Sequence, residues 1–234
     1  MKEQIDKPQT GDAKFRYDGE AGKQYAKDVG QTDITHLGYQ IQSKKILPHL
    51  KSTDNVLDFG CGNGSLARCL VPHVSGLEGV EVNSFTRSIA RDNANIKVHA
   101  GLNDIDPDKR YDVIYTNHVL EHIEDVVGTL KYLRHYLKPK GKLLIIVPAE
   151  DFRSAPQKDW RTVDPDHHLH TWTPRLLANT LRNASFVPET IDLKSTAWVP
   201  QLFFLGDNLL TRFIFKLKGI ILRRHELFAC AVKN

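Results

Sequence analysis

The stretch Val56-Leu-Asp-Phe-Gly-Cys-Gly-Asn-Gly-Ser65 sets Gly60, Gly62 and Gly64 directly behind a short apolar run. Glycines placed there let a ligand approach the backbone where a strand turns into a helix. Two acids frame them. Asp58 stands two residues before Gly60, and Glu81 lies near the end of the next apolar run, Leu77-Glu-Gly-Val-Glu-Val82. A carboxylate at Asp58 would repel a pyrophosphate and attract an ammonium group. An acid at the end of a second strand can accept both hydroxyls of a ribose. Together they describe a nucleoside with a positively charged tail. The register Gly62-Asn-Gly64-Ser-Leu-Ala67 also fits the dinucleotide pattern G-x-G-x-x-A. A nicotinamide-dependent oxidoreductase therefore stands as an alternative, and a non-catalytic cofactor-binding accessory protein as another.

A second concentration of chemistry is the run Asp164-Pro-Asp-His-His-Leu-His-Thr-Trp-Thr173, which carries three of the eleven histidines. A histidine in a loop above a cofactor can act as general base or orient an acceptor. His168 is the first candidate, with His167 and His170 behind it. The competing reading is a polar loop that caps the helix opening at Thr173-Pro174. Trp160 and Trp172 would wall a pocket or pack in the core.

These residues need a frame to hold them, and the hydrophobic pattern supplies one. Apolar runs at Asn55–Phe59, Leu77–Val82, Ile96–Ala100, Tyr111–Tyr115 and Lys142–Val147 alternate with helical periods at Ser65–Leu70, Ser84–Asn93 and Asp125–Leu137. Strands and helices in that alternation predict an α/β fold, a doubly wound, mostly parallel sheet with helices on both faces. A helix from Thr173 and strands near Glu189–Leu193 and Glu226–Val232 would complete seven strands. The turn Lys138-Pro-Lys-Gly141 would lead into the fifth.

The chain divides into an arm and packing or lid helix over 1–50, a cofactor-binding core over 51–150, and an acceptor side over 151–234 that completes the same domain. With 234 residues, 41% hydrophobic and 26% charged, it is long enough to bury a sizeable core. The net charge of +4 is too small to suggest nucleic acid without a concentrated patch. Three cysteines with no C-x-x-C pair exclude a disulfide framework and point to a reducing compartment. A polar start and no run long enough to span a bilayer predict a cytoplasmic protein.

The glycine loop resembles motif I of the class I S-adenosylmethionine-dependent methyltransferases, in their small-molecule group. The likeness continues through Gly79-Val-Glu81, through Tyr111-Asp-Val-Ile-Tyr-Thr-Asn-His-Val-Leu-Glu-His122, and through Leu137-Lys-Pro-Lys-Gly-Lys-Leu-Leu-Ile-Ile-Val-Pro148. The resemblance implies S-adenosylmethionine as cofactor. It would be held by Asp58 and the backbone of Gly60, Cys61, Gly62 and Gly64 at the methionine end, and by Glu81 and Val82 at the ribose. Leu102 and Asn103 would flank the adenine, and Asn117 and His118 would line the other side. Where the family often has Gly-Asp after strand three, this chain has Gly101-Leu102. One subgroup, the quinone-pathway O-methyltransferases, has a metal-linked Glu-x-x-Glu-His where this chain has His118-Val-Leu-Glu-His122. A divalent ion on His118, Glu121 and His122 is the minor alternative to a metal-free site.

The implied reaction is methyl transfer, most readily to oxygen, with a small molecule or a glycan or lipid-linked precursor as acceptor. Nucleic acid is not expected, because Thr116-Asn117-His118-Val119 lacks the Asn/Asp-Pro-Pro-aromatic motif of the amine-methylating relatives. The segment from Asn208 to His225 carries five lysines and arginines, no acid, and many large apolar residues. It would either cap the sheet with its apolar side or lie on an anionic membrane as a peripheral contact at the inner face. The cap is the favoured reading.

Overall fold

The computed structural model describes residue 23 and residues 33–149, 168–195, 202, 205–222 and 224–234. His167 and Trp160, singled out above, lie outside the described residues, as does nearly all of the N-terminal arm.

The elements are α1 (Asp33–Ile46), β1 (Asn55–Phe59), α2 (Ser65–Leu70), β2 (Gly76–Val80), α3 (Ser84–Ala94), β3 (Lys97–His99), β4 (Tyr111–Asn117), α4 (Val126–Tyr136), β5 (Leu137–Ala149), α5 (Pro174–Asn183), β6 (Phe186–Ser195), α6 (Leu209–Ile221) and β7 (His225–Lys233). They form a seven-stranded sheet in the order β3-β2-β1-β4-β5-β7-β6. β7 pairs antiparallel with both β5 and β6, and the remaining pairs are parallel. The strand order reverses between β1 and β4, where a doubly wound sheet opens its ligand crevice.

The central strands are apolar on both sides because both faces are covered. Leu57, Ile114, Leu143 and Ile145 pack with Leu130 and Leu133 of α4 and Leu177 and Leu181 of α5. Their sequence neighbours Val56, Val113, Leu144 and Ile146 pack on the other face with Leu66 and Leu70 of α2 and Ile46 of α1. Local chemistry starts the helices where expected. Asn83 accepts from the Phe85 and Thr86 amides to cap α3, Asp125 caps α4 through Gly128, and Thr173 caps α5 through Leu176 ahead of Pro174.

Two expectations change. Lys138-Pro-Lys-Gly141 is an irregularity inside β5 rather than a turn before it. Tyr111 pairs with Leu137 and Val113 with Lys142, and Lys140 takes a positive φ of 61° to absorb the excess residues. The second correction concerns the C-terminal segment. α6 turns only Thr211, Phe215 and Gly219 fully inward, with Phe215 meeting Leu37 of α1, while most of its large aliphatic side chains face outward. Its apolar side faces outward rather than onto the sheet.

Candidate functional site

The crevice begins with two glycines where any side chain would be strained. Gly60 has φ +81°, and a Cβ there would lie 2.3 Å from a methyl of Val119, on the far side of the strand reversal. Gly64 has φ +76°, and a Cβ would lie 3.0 Å from the Ala90 carbonyl of α3. The loop between them is tied down by its own amides. Gly60 and Cys61 donate to the Val80 carbonyl at 2.9 and 3.0 Å, and Gly64 donates to the Cys61 carbonyl at 2.9 Å. Gly62 donates to Glu81 Oε2 at 3.0 Å, and Ser65 donates to Asn63 Oδ1 at 3.0 Å. A phosphate cradle needs such amides free and aimed at the anion. Here a carboxylate of the protein already takes one of them.

Asp58 lies beneath this loop, only 2% exposed, and Tyr115 of β4 donates to its Oδ2 at 2.5 Å. Burial pushes its pKa up to about 7, with Glu81 adding repulsion and the Tyr115 hydroxyl opposing. Glu81 is raised by burial too, against the amides of Asn83 and Gly62. No lysine or arginine forms an ion pair with either acid among the described residues. An external cation placed beside them would favour the charged form of both acids.

The other cofactor candidates divide. The Cys61 side chain turns inward against Gly79 and packs with Ala90 and Val98, so only its backbone faces the crevice. Val82 is exposed just beyond β2. Leu102 is buried, and its carbonyl accepts from Tyr136 at 2.8 Å. Asn103 is exposed and accepts from Tyr132 at 2.7 Å. Asn117 and His118 sit at the end of β4, across the strand reversal from Asp58.

Residues from both ends of the chain meet there, and sequence reasoning missed them. Gln42 of α1 donates to Asn117 Oδ1 at 2.7 Å and to Glu226 of β7 at 3.3 Å. Lys45 is ion-paired with Glu226. His118, at φ 55°, places Nδ1 3.2 Å from Glu121 and Nε2 3.8 Å from Glu226. Desolvation opposes its charge, but the two carboxylates prevail and hold its pKa up at about 9. Burial would likewise raise Glu226, yet His118 and Lys45 bring it down to about 2. One signal was available: an acid opening an otherwise apolar strand at Glu226.

The histidine loop is fastened to the same place. The amides of Leu169 and His170 donate to the Glu121 carbonyl at 2.7 and 3.2 Å, and His170 Nε2 lies 2.7 Å from the Ile123 carbonyl. His170 thereby serves the loop's anchorage. The ring of His168 lies 5.0 Å from that of His122. Trp172 is core, bridged to Ala149 at the end of β5. One donor atom each from Glu121, His122 and His168 lie within 4.8 Å of one another, so that His168 stands in place of His118 in the minor, metal-bearing alternative. Glu121 is fully buried, and its Oε2 has no hydrogen-bond partner.

Comparison with known proteins bears on the family and the fold. A family described as a methyltransferase domain matches residues 39–191. The ubiquinone biosynthesis O-methyltransferase of Rickettsia bellii is 30% identical over 128 residues, covering 50% of this chain and 53% of that protein. The chain thus spans about half the length of the curated relatives it matches. Among solved structures, a SAM-dependent methyltransferase from Archaeoglobus fulgidus superposes with a TM-score of 0.58 at 17% identity, covering 83% of this chain and 92% of the other. Phosphoethanolamine N-methyltransferase 2 of Haemonchus contortus, solved with phosphomonomethylethanolamine and S-adenosylhomocysteine, gives 0.56 at 14% identity, covering 84% and 52%. Fold, glycine loop and family match converge: the chain belongs to the methyltransferase-domain family, on the class I S-adenosylmethionine-dependent methyltransferase fold.

Proposed function

We propose that the protein transfers a methyl group from S-adenosylmethionine to an oxygen of a small-molecule acceptor, glycan and lipid-linked precursors included. The observation that carries this reading is the acid pair Asp58 and Glu81, both raised by burial beside a loop whose amides are already spent. Asp58 with Gly60, Cys61, Gly62 and Gly64 would hold the amino-acid end. Glu81 and Val82 would hold the ribose, since each Glu81 oxygen accepts one backbone amide and keeps a lone pair. Leu102 and Asn103 would border the base, and Asn117 and His118 the opposite wall. Peripheral membrane contact through 208–225 belongs to the same reading. Among the described residues no helix is long and apolar enough to cross a membrane.

The bound sulfonium supplies a methyl on a leaving group that needs no acid. The protein's task is then to orient the acceptor, exclude water and remove the acceptor's proton. His168, held beside His122 by a loop anchored on Glu121, is the group assigned to that proton. With labelled S-adenosylmethionine and an acceptor extract, His168→Ala should lower turnover by about 100-fold and leave S-adenosylhomocysteine affinity unchanged. Unaltered turnover would remove His168 from the chemistry. Tight binding of NADH with none of S-adenosylhomocysteine would restore the oxidoreductase reading.

The unpartnered Glu121 Oε2 favours a second, metal-assisted version. Glu121, His122 and His168 offer one carboxylate and two imidazoles, a set suited to a divalent ion that would polarise the acceptor oxygen. Titration calorimetry with zinc alone should show one site that His122→Ala abolishes; no heat above the His122→Ala background would dismiss it.

A further inference from the structure

β6 and β7 are antiparallel neighbours, yet the chain leaves β6 at Ser195 and enters β7 only at His225. A hairpin needs two to five residues for such a link. The insertion leaves from the carboxyl edge of the sheet, the edge that holds Asp58 and Asn117, and it carries α6. α6 rests on α1 through Phe215 and Leu37, and Asp207 just before it pairs with Lys44 and Arg212. α1 in turn reaches Asn117 and Glu226 through Gln42 and Lys45. The insertion is therefore mechanically joined to the wall of the site.

The outer face of α6 is apolar. Leu209, Leu210, Phe213, Leu217, Ile220 and Ile221 are 46–85% exposed. Wound at about 3.6 residues per turn, they fall within roughly a third of the circumference, opposite Thr211, Phe215 and Gly219. Lys216 flanks this stripe on one side and Lys218 on the other, and neither has an acidic partner among the described residues. Asn208–His225 contains no acid at all. A protein partner's core would bury the stripe but leave the lysines needing matched acids. The interface of an anionic bilayer takes both at once, with the aliphatic side chains among the acyl chains and the lysine stems reaching up to the headgroups.

Resting on the methyltransferase reading, we infer that α6 docks the enzyme on an anionic membrane surface, with the carboxyl edge of its sheet turned to the lipid, and that the acceptor is an amphiphile whose apolar tail stays in the bilayer. Sedimentation with extruded vesicles tests the docking. The protein should pellet with phosphatidylcholine vesicles carrying phosphatidylglycerol and much less with phosphatidylcholine alone. The triple variant Phe213→Ser, Leu217→Ser, Ile221→Ser should bind the anionic vesicles at least about tenfold more weakly, while Lys216→Glu with Lys218→Glu should abolish the preference for phosphatidylglycerol. Calorimetry with S-adenosylhomocysteine should give wild-type affinity for both variants, which shows them folded and separates this inference from the cofactor reading. Equal pelleting of wild type and triple variant would overturn the docking. So would a wild-type dimer that the triple variant dissociates, since the stripe would then cover a second copy. Labelled S-adenosylmethionine incubated with a membrane extract should put its label in the organic-solvent fraction; label confined to the aqueous fraction would overturn the acceptor class.

Discussion

Asp58 and Glu78 sit on adjacent strands, one register step apart, and their surroundings drive them in opposite directions. Asp58 pairs across the sheet with Gly79, and Glu78 with Leu57. Burial would raise Glu78, but His99 at 2.8 Å, Lys109 at 3.0 Å and the Tyr111 hydroxyl at 3.0 Å outweigh it and hold its pKa near 2. Asp58 has one neutral donor and a second acid nearby, and it rises to about 7. Glu78 is neutralised by partners from within the protein, whereas Asp58 lacks a basic partner among the described residues and holds its proton until near neutral pH. It is this perturbation, and not the presence of an acid, that makes Asp58 a binding-site candidate.

The sharpest break of that comparison is Asp58→Asn. It keeps the shape and the Tyr115 contact but removes the charge, so affinity for S-adenosylhomocysteine should fall by about 100-fold, as when one partner of a buried charge pair is lost. An unchanged Kd by calorimetry would mean that the amine is held elsewhere.

Acidity gives the next largest effect. Below about pH 7 the free Asp58 carboxyl is protonated, and pairing with an ammonium group requires it to ionise. Affinity should therefore weaken by about tenfold per pH unit below 7, and this dependence should vanish in Asp58→Asn. The same raised pKa works against the apo fold: stability from this group is full below its unfolded value near 3.8 and declines as pH climbs towards 7.

Glu81→Gln should cost about tenfold in affinity, because the amide NH2 must face the Gly62 or Asn83 N–H that now donates to a carboxylate oxygen. If affinity holds while thermal stability drops, Glu81 only braces the loop.

Glu78→Gln is the control. Cofactor affinity should not move, and stability should fall by about 1–2 kcal/mol, seen as a lowered Tm. Since the folded pKa of Glu78 is depressed, its stabilisation is full above 4.5 and disappears as pH falls towards 2. A loss of affinity equal to that of Asp58→Asn would erase the distinction between the two acids.

The α/β alternation was legible because buried parallel strands must be continuous apolar runs, and Val56, Ile114 and Leu144 lie in runs of that kind. Caps such as Thr173 ahead of Pro174 were legible for the same local reason. The β5 irregularity was not, since whether Pro139-Lys-Gly141 ends a strand or is carried within it depends on the register of β4. Nor was the direction of α6, because an apolar side chain can turn to its own core or to a neighbour, and hydropathy does not say which.

By itself the chain's order of residues determined the strand and helix types and where the glycines and acids fall between them, for these follow from patterns within a few residues. Only the tertiary structure decided that Lys45 and Glu226, 181 residues apart, would join His118 at the wall of the crevice. It also set Asp58 under the loop rather than on its rim. Both outcomes rest on which distant surfaces share the same dry volume, and there a charge responds to every neighbour that folding brings within reach.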